Sequence, residues 1–276
     1  MVKMTSVWDR TSDFLRDDGA RVLPVAIGLI FLPNLLSGVA DGAVAGQPGA
    51  LSATAGIAAI AFTLLTLWGG AAITALAMRA SPPGVAVAHA GRRLPAIIGL
   101  TLLLLLAAAL LVMPFAAILL AGGVDMAALE AAGSTLPDMD GRTTMMLLAY
   151  GALLSIVSLW VSARLLLLVP VVLAERLGVG AIRRVWSLTR GHGLRLVGVL
   201  LLYGLVAAVA TMAVGAVAGL VGALLSGDAP GISIGTIIAA TASAIVATLL
   251  SVVQSAFVGK LYTALAPGAE PEEYVA

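Results

Sequence analysis

The sequence predicts an all-α membrane protein, folded as one polytopic bundle of six transmembrane helices. Of its 276 residues, 61% are hydrophobic and only 11% are charged, whereas about 25% of residues in a soluble domain are charged. The connections between six long apolar stretches are too short for a soluble domain. Alternation of apolar and polar residues with a period of two is absent, which excludes a β-barrel. Residues 1–276 are therefore predicted to form a single membrane domain.

Each predicted span is an apolar run long enough to cross a hydrocarbon core of about 30 Å, which requires about 20 residues. No span contains Asp or Glu, and Arg164 is the only charged residue inside any of them. The first apolar run is too long for a cleaved signal peptide and follows four aspartates, which favours a retained helix. The predicted spans are 22–40, 54–78, 94–121, 144–173, 196–225 and 232–258.

Basic residues predict the orientation. Connections facing the cytoplasm carry an excess of Lys and Arg, and here every second connection is basic. The arginine-rich, alanine-rich and glycine-rich composition indicates a bacterial source. We therefore expect a multi-pass protein of the bacterial inner membrane with both termini in the cytoplasm. The basic segments are 1–21, 79–93 and 174–195, whereas 41–53 and 226–231 lack Lys and Arg and 122–143 holds only Arg142.

An internal repeat is predicted at the points where cytoplasmic segments enter the membrane. Residues 20–29 match residues 91–100 at six of ten positions, including an Arg, a Pro and a Gly, and a weaker copy begins at Arg195. Each unit would be an amphipathic helix followed by two spans, repeated about an axis normal to the membrane. The predicted units are 1–78, 79–173 and 174–276.

Two amphipathic segments, 4–18 and 179–190, precede the first and fifth spans. Each has apolar residues on one helical face and charged residues opposite. A tryptophan at the apolar edge suits a helix in the headgroup region, while docking of the apolar face on the bundle is the alternative. Candidate contacts to membrane lipids, including anionic headgroups, are Trp8, Arg92, Arg93, Arg183, Arg184, Trp186 and Arg190.

Residues for catalysis are scarce. The chain has no cysteine, and its two histidines, His89 and His192, lie in separate connections without an acidic metal-binding motif. The letters of a nucleophile elbow around Ser233 lack the required strand-to-helix turn and a histidine on the same side of the membrane. We therefore predict no enzyme activity, no metal and no cofactor. A nucleic-acid partner is not expected either, because no basic cluster is interleaved with aromatic residues.

Arg164 is the residue at depth that most needs an explanation, because a charge at the bilayer centre costs about 2.5–3.5 kcal/mol on insertion scales. One interpretation is a cation that binds an anionic headgroup or substrate inside the bundle. The other is a structural role, with bonds to carbonyls freed near Pro170 or a side chain that reaches toward the cytoplasmic surface. The other polar groups of this candidate intramembrane site are Asn34, Tyr150, Tyr203 and Gln254.

Small residues repeat every fourth position in the last two spans. Such stripes let helices approach closely, and we expect them to serve packing within the chain, with self-association as the alternative. The stripes are Thr211, Gly215, Gly219 and Ala223 in span five, and Gly235, Ala239, Ser243, Ala247, Ser251, Ser255 and Gly259 in span six.

A stretch of about 30 residues at the start of the third unit resembles the signature of the membrane-domain family named after glycerophosphoryl diester phosphodiesterase. The residues of this signature are Pro170, Glu175, Gly180, Ala181, Arg184, Trp186, Leu188, Thr189 and Gly191. The resemblance extends to related uncharacterised bacterial six-span proteins. It implies a membrane-embedded module linked to lipid or envelope homeostasis. The family's soluble catalytic barrel has no counterpart in this chain, so its catalytic residues cannot be transferred.

These observations lead to a functional expectation. We expect a non-catalytic scaffold or modulator in the inner membrane, whose basic interfacial helices contact anionic lipid or a membrane or cytoplasmic protein partner. The alternative is a small transporter or lipid-handling protein that uses Arg164 in a polar intramembrane cavity. A cavity that reaches Arg164 would favour transport, and a closed bundle would favour the scaffold.

Overall fold

The computed structural model describes residues 4–44, 50–79, 81–123, 140–175, 177–226 and 234–266. All regular elements in these ranges are helices, which confirms the predicted all-α fold class. Six of the helical segments are long and apolar enough to cross a membrane, so the polytopic bundle is confirmed as well. The spans are Gly19–Ala43, Thr54–Met78, Pro83–Ala121, Gly141–Glu175, Gly193–Gly222 and Ile234–Leu265. The predicted internal repeat stays a prediction.

Ten α-helices and one π-helical turn make up the described ranges. The turn, Ile27–Phe31, joins α2 to α3 in the first span, just ahead of Pro33. Because Pro33 lacks an N–H and its ring crowds the carbonyl four residues earlier, a local departure from α-helical bonding is expected there. The α-helices are α1 Met4–Asp17, α2 Gly19–Ala26, α3 Leu32–Val44, α4 Ala50–Met78, α5 Pro83–Ala121, α6 Gly141–Leu165, α7 Leu168–Glu175, α8 Gly180–Leu188, α9 Gly193–Ser226 and α10 Ile234–Leu265.

The fourth span is not the continuous helix that the sequence predicts. It breaks into α6 and α7 at a turn formed by Leu166 and Leu167. The cause is Pro170, whose ring clashes with the carbonyl of the residue four positions earlier, Leu166. Helix α7 restarts directly after the turn, with the N–H of Val171 bonded to the carbonyl of Leu167. The break therefore comes before the proline and just after Arg164.

The third span begins earlier than predicted. Helix α5 starts at Pro83 rather than near residue 94, and it contains Pro95 without ending. A proline in the first turn is favourable because its missing N–H would have no partner there. The amphipathic helix predicted at the start of the second unit is thus the first part of the spanning helix itself.

The buried core lies toward the basic end of the bundle. The ends of α4 and α10 nearest the basic connections, the first part of α5, and α1, α7 and α8 share one hydrophobic cluster. The largest fully buried side chains are Val7, Thr11, Ile30, Ile73, Leu167, Val171, Val172, Leu173, Val185, Leu196, Leu261 and Tyr262. Toward the opposite end, α5, α6 and α9 expose large apolar side chains, as suits helices surrounded by lipid.

Helices α3, α4 and α10 approach one another through small residues. A Cβ built on Gly259 of α10 would lie 2.8 Å from the Cβ of Ala77 and 2.9 Å from the carbonyl oxygen of Thr74 in α4. A Cβ on Gly38 of α3 would lie 3.1 Å from that of Ala240 in α10. These approaches support the prediction of intrachain packing for the last span.

The predicted stripe of the last span is only partly correct. Gly235 and Gly259 at its two ends are buried, but Ser243 and Ala247 in the middle are exposed. A strict four-residue period drifts around a helix of 3.6 residues per turn. The buried positions in the middle are instead Ala240, Ala244 and Thr248.

In the fifth span the expectation of intrachain packing is wrong for the described part of the stripe. Thr211, Gly215 and Gly219 are exposed on α9, and none of the described residues comes within 4 Å of a Cβ built on either glycine. The stripe faces away from the bundle because α9 packs against α6 and α10 on another side.

Candidate functional site

Arg164 lies in a clamp formed by two tryptophans and the connection between α8 and α9. Its guanidinium carbon is 5.2 Å from the ring centre of Trp160 and 5.3 Å from that of Trp186. The two rings meet edge to face, 5.0 Å apart at 80°. The Nη1 group donates a hydrogen bond of 3.0 Å to the carbonyl oxygen of Thr189. We call these four residues, with Gly193, the Arg164 clamp.

Gly193 completes the clamp because it has no side chain. A Cβ at this position would lie 3.3–3.4 Å from three atoms of the guanidinium. Thr189 is fully buried, and its hydroxyl donates to the carbonyl of Val185 in α8. The clamp therefore fastens the end of α6 to α8 and to the start of α9.

The clamp lies near the basic end of the bundle. Arg164 is in the last turn of α6, where the helix dipole favours a positive charge. Between Gly141 and Arg164 the helix rises about 35 Å, more than the hydrocarbon thickness of about 30 Å. The carbonyl that Arg164 reaches belongs to Thr189, not to a residue near Pro170. The expected structural contact therefore exists with a different partner, because the chain turns at Leu166.

Two buried nitrogen atoms at the clamp form no hydrogen bond within the part of the chain that the structure describes. They are Arg164 Nε and His192 Nδ1. The backbone N–H of His192 donates to the same Thr189 carbonyl that Arg164 contacts. The carbonyl is thus doubly satisfied, while part of the donor capacity of Arg164 is unused.

A second polar cluster joins three elements beside the clamp. Arg184 Nε donates to both carboxylate oxygens of Glu175, at 3.0 and 2.8 Å. The Tyr262 hydroxyl donates to Glu175 Oε1 at 3.0 Å. The Glu175 side chain is 19% exposed and that of Arg184 41% exposed. This cluster connects the end of α7 to α8 and to α10.

The tyrosines predicted as polar groups at depth join pairs of helices. The Tyr150 hydroxyl of α6 donates to the carbonyl of Leu111 in α5. The Tyr203 hydroxyl of α9 donates to the carbonyl of Leu250 in α10, at 3.0 Å. Both tyrosines therefore act as hydrogen-bonding links between neighbouring helices.

The remaining two predicted groups do not join the clamp. The Asn34 side-chain amide donates to the carbonyl of Ile30 in its own helical segment, at 2.8 Å. Gln254 is exposed on α10. The five predicted polar residues are thus distributed along several helices, and the structure does not bring them together around Arg164.

Both amphipathic helices bury an apolar face against the bundle. Helix α1 packs on α10 with Val7, Thr11 and Phe14 buried, and α8 buries Ala181 and Val185. This favours the alternative in which these faces dock on the protein itself. Several predicted lipid contacts stay accessible. Trp8 is 52% exposed, Arg92, Arg183, Trp186 and Arg190 are exposed, and Arg93 is partly buried.

Several residues of this region were not predicted from the sequence. Thr189, Gly193 and Tyr262 were not predicted to meet Arg164 or Glu175, because they come from distant parts of the chain, and the nearby Trp160 was not predicted either. Lys260, which lies 4.8 Å above the Phe14 ring, was missed as well. A signal was present in the spacing of Trp160 and Arg164, since residues four apart share a helical face.

Four signature positions take part in these clusters. Glu175 and Arg184 form the ion pair, and Trp186 and Thr189 contact Arg164. Pro170 causes the break in the fourth span. Gly191, with a φ of 83°, adopts a left-handed conformation that favours glycine, at the turn into α9.

The fold defines the chain as an integral membrane protein with six spans. Among the described residues, His, Asp and Glu form no group able to hold a metal ion. Comparisons with protein-family models, curated proteins and solved structures gave no match to this chain. The resemblance to the membrane-domain family stays a prediction.

Proposed function

We propose that this chain is a non-catalytic protein of the bacterial inner membrane, a scaffold or modulator linked to lipid or envelope homeostasis. Its basic end would face the cytoplasm and contact anionic headgroups. The observation that carries the proposal is the division of the arginines. Arg164 and Arg184 are bound within the protein, whereas Arg92, Arg183 and Arg190 are exposed near the same end.

The internal bonds support a structural rather than a transport role for the buried cation. Arg164 is covered by two rings, a carbonyl and the α9 backbone at Gly193. A substrate-binding arginine needs an open part of its guanidinium for the ligand, and in Arg164 these contacts cover one side and part of the edge of that group.

The exposed arginines support contact with the membrane surface. Each basic residue near an anionic leaflet contributes about 1 kcal/mol of attraction. Because α8 buries its apolar face, its position is fixed, and Arg183 on this helix and Arg190 just after it are exposed. The resemblance to the membrane-domain family, with its implied link to lipid, supports the same proposal.

The test compares arginines at the two ends of the bundle. The triple replacement of Arg92, Arg183 and Arg190 by Gln should lower photo-crosslinking to phosphatidylglycerol in nanodiscs and leave topology intact. Arg142→Gln at the opposite end is the control and should leave crosslinking to cytoplasmic-leaflet lipid unchanged. Arg184 is kept, because its loss would break the Glu175 pair. Equal crosslinking in the triple variant and the parent would refute lipid contact by these residues.

A second candidate function is supported by one observation at the clamp. Arg164 Nε and His192 Nδ1 are buried and find no hydrogen-bond partner among the described residues, so a small transporter or lipid-handling protein would have unused polar groups there. If Arg164 binds an anionic ligand, Arg164→Leu should abolish complementation of a deletion strain while expression and insertion persist. Full complementation by the leucine variant would eliminate this candidate.

A further inference from the structure

A groove lies between the start of α1 and the first turns of α9. Its volume is about 460 Å³, and its lining residues are Met4, Thr5, Arg195, Gly198, Val199 and Leu202. Cavities that hold small ligands have volumes of about 300–1,000 Å³. The groove is separate from the Arg164 clamp and from the exposed arginines of α8.

The lining changes from polar to apolar along α9. Arg195 and Thr5 lie at the basic end, while Val199 and Leu202 lie further along the spanning helix. The distance along the helix axis from Arg195 to Leu202 is about 10 Å. A ligand that fills the groove must therefore have an anionic or polar head and an apolar extension.

Gly198 contributes no side chain to the groove. No atom of the described residues lies within 4 Å of a Cβ built at this position, and the residue is exposed. A glycine within a helix costs about 0.5–1 kcal/mol relative to alanine, so helix stability does not explain its presence here. A larger side chain at this position would enter the groove without a clash against the protein.

The surroundings of the groove favour a lipid over a soluble anion. Beyond Leu202, the surface of α9 continues with the exposed apolar residues Leu205, Val206 and Val209. This surface belongs to a span, so hydrocarbon chains cover it. A ligand seated at Arg195 can extend directly into that environment, which a free anion cannot use.

We propose that this groove binds one anionic phospholipid of the cytoplasmic leaflet. The phosphate group accepts hydrogen bonds from Arg195 and from the Thr5 hydroxyl, and one acyl chain follows Gly198 and Leu202. The choice of leaflet rests on the proposed orientation. The site itself does not rest on the lipid contacts of Arg92, Arg183 or Arg190.

The test uses the full chain purified from the membrane and native mass spectrometry with defined lipid. Phosphatidylglycerol is the probe, phosphatidylcholine is the comparison lipid and inorganic phosphate is the competitor. Gly198→Leu should fill the groove and reduce retention of one tightly held phosphatidylglycerol at least tenfold. Gly204→Leu is the matched control, since Gly204 is also exposed on α9 with open space around it, and it should leave retention unchanged.

A second variant tests the headgroup contact. Arg195→Gln should remove the preference for phosphatidylglycerol over phosphatidylcholine, and inorganic phosphate should not displace the lipid from the parent protein. Unchanged lipid retention in both variants would overturn the proposal. Displacement by phosphate alone would also overturn it, because it would indicate a soluble-anion site.

The surface contact and the groove site can be refuted independently of each other. Contact through the exposed arginines is a surface attraction that salt screens, whereas the groove should retain one lipid at high ionic strength. Loss of crosslinking in the arginine triple variant with normal retention of the groove lipid would support both. Normal crosslinking with loss of the groove lipid in Gly198→Leu would support only the groove.

Discussion

Replacing Arg164 with leucine separates a structural from a ligand-binding role, and the structure sets the expected size of the effect. The substitution removes the charge-assisted hydrogen bond to Thr189, worth about 1.5–3 kcal/mol. It also removes contacts with the Trp160 and Trp186 rings, worth about 1–2 kcal/mol together. The Thr189 carbonyl keeps its bond from the His192 N–H, so no buried acceptor is left without a donor.

Part of that loss is offset because leucine, unlike arginine, has no free-energy cost of insertion into hydrocarbon. The full insertion cost of about 2.5–3.5 kcal/mol applies at the bilayer centre, and Arg164 lies near the end of α6, so the offset is smaller. We expect a net loss of about 1–3 kcal/mol in the free energy of unfolding. Membrane insertion should be retained.

The assay is thermal unfolding in detergent followed by tryptophan fluorescence, to which Trp160 and Trp186 contribute as reporters at the clamp. Arg164→Lys should lose less than the leucine variant, because it keeps the charge but not the planar group that stacks on rings. Arg142→Leu is the control for loss of an arginine elsewhere. Unfolding at the parent temperature or above in the leucine variant would refute the structural role, since a stabilised variant means that the charge is kept for use.

Three further predictions concern orientation, packing and the polar cluster. Gly259→Ala should destabilise by about 1–3 kcal/mol because its Cβ would press on backbone of α4, whereas Gly99→Ala, with open space around it, should be neutral or stabilising in the same unfolding assay. A double-mutant cycle with Glu175→Gln and Arg184→Gln should give a coupling of about 1 kcal/mol for this partly exposed pair, and additive losses would show that the pair contributes nothing. Topology reporters fused at sites on the two sides of the membrane should give opposite signals. One inverted pair of fusions would refute the six-span arrangement. The reporter sites are Gly49, Asp140 and Asp228 outside, and Pro83, Gly178 and Ala276 inside.

The spans could be predicted because a helix needs a minimum length of apolar sequence to cross the hydrocarbon core. A run of that length can be recognised in a short window of the sequence. The break in the fourth span was harder to predict, although its cause, Pro170, lies in that window. Prolines also lie inside α5 at Pro95 and Pro114 without ending it, so the presence of a proline alone does not decide.

The depth of Arg164 could not be read from its position within an apolar run. The run continues past the point where α6 ends, because α7 is apolar through burial in protein rather than through contact with lipid. A hydropathy scale gives an apolar residue the same value whether protein or lipid surrounds it. The partners of Arg164 follow from the fold, since Thr189 and Trp186 reach it only once α8 has docked.

The last helix of the chain packs against the first. Helix α10 contacts α1, α3, α4 and α9, and its end provides Phe257 for Trp8 and Lys260 for Phe14. During synthesis, most of the buried face of α1 therefore stays uncovered until the sixth span has been made. The first and last of the described helices are in this sense folded together, however early α1 is synthesised. Chains that stop before residue 234 would leave exposed the face of α1 that α10 covers.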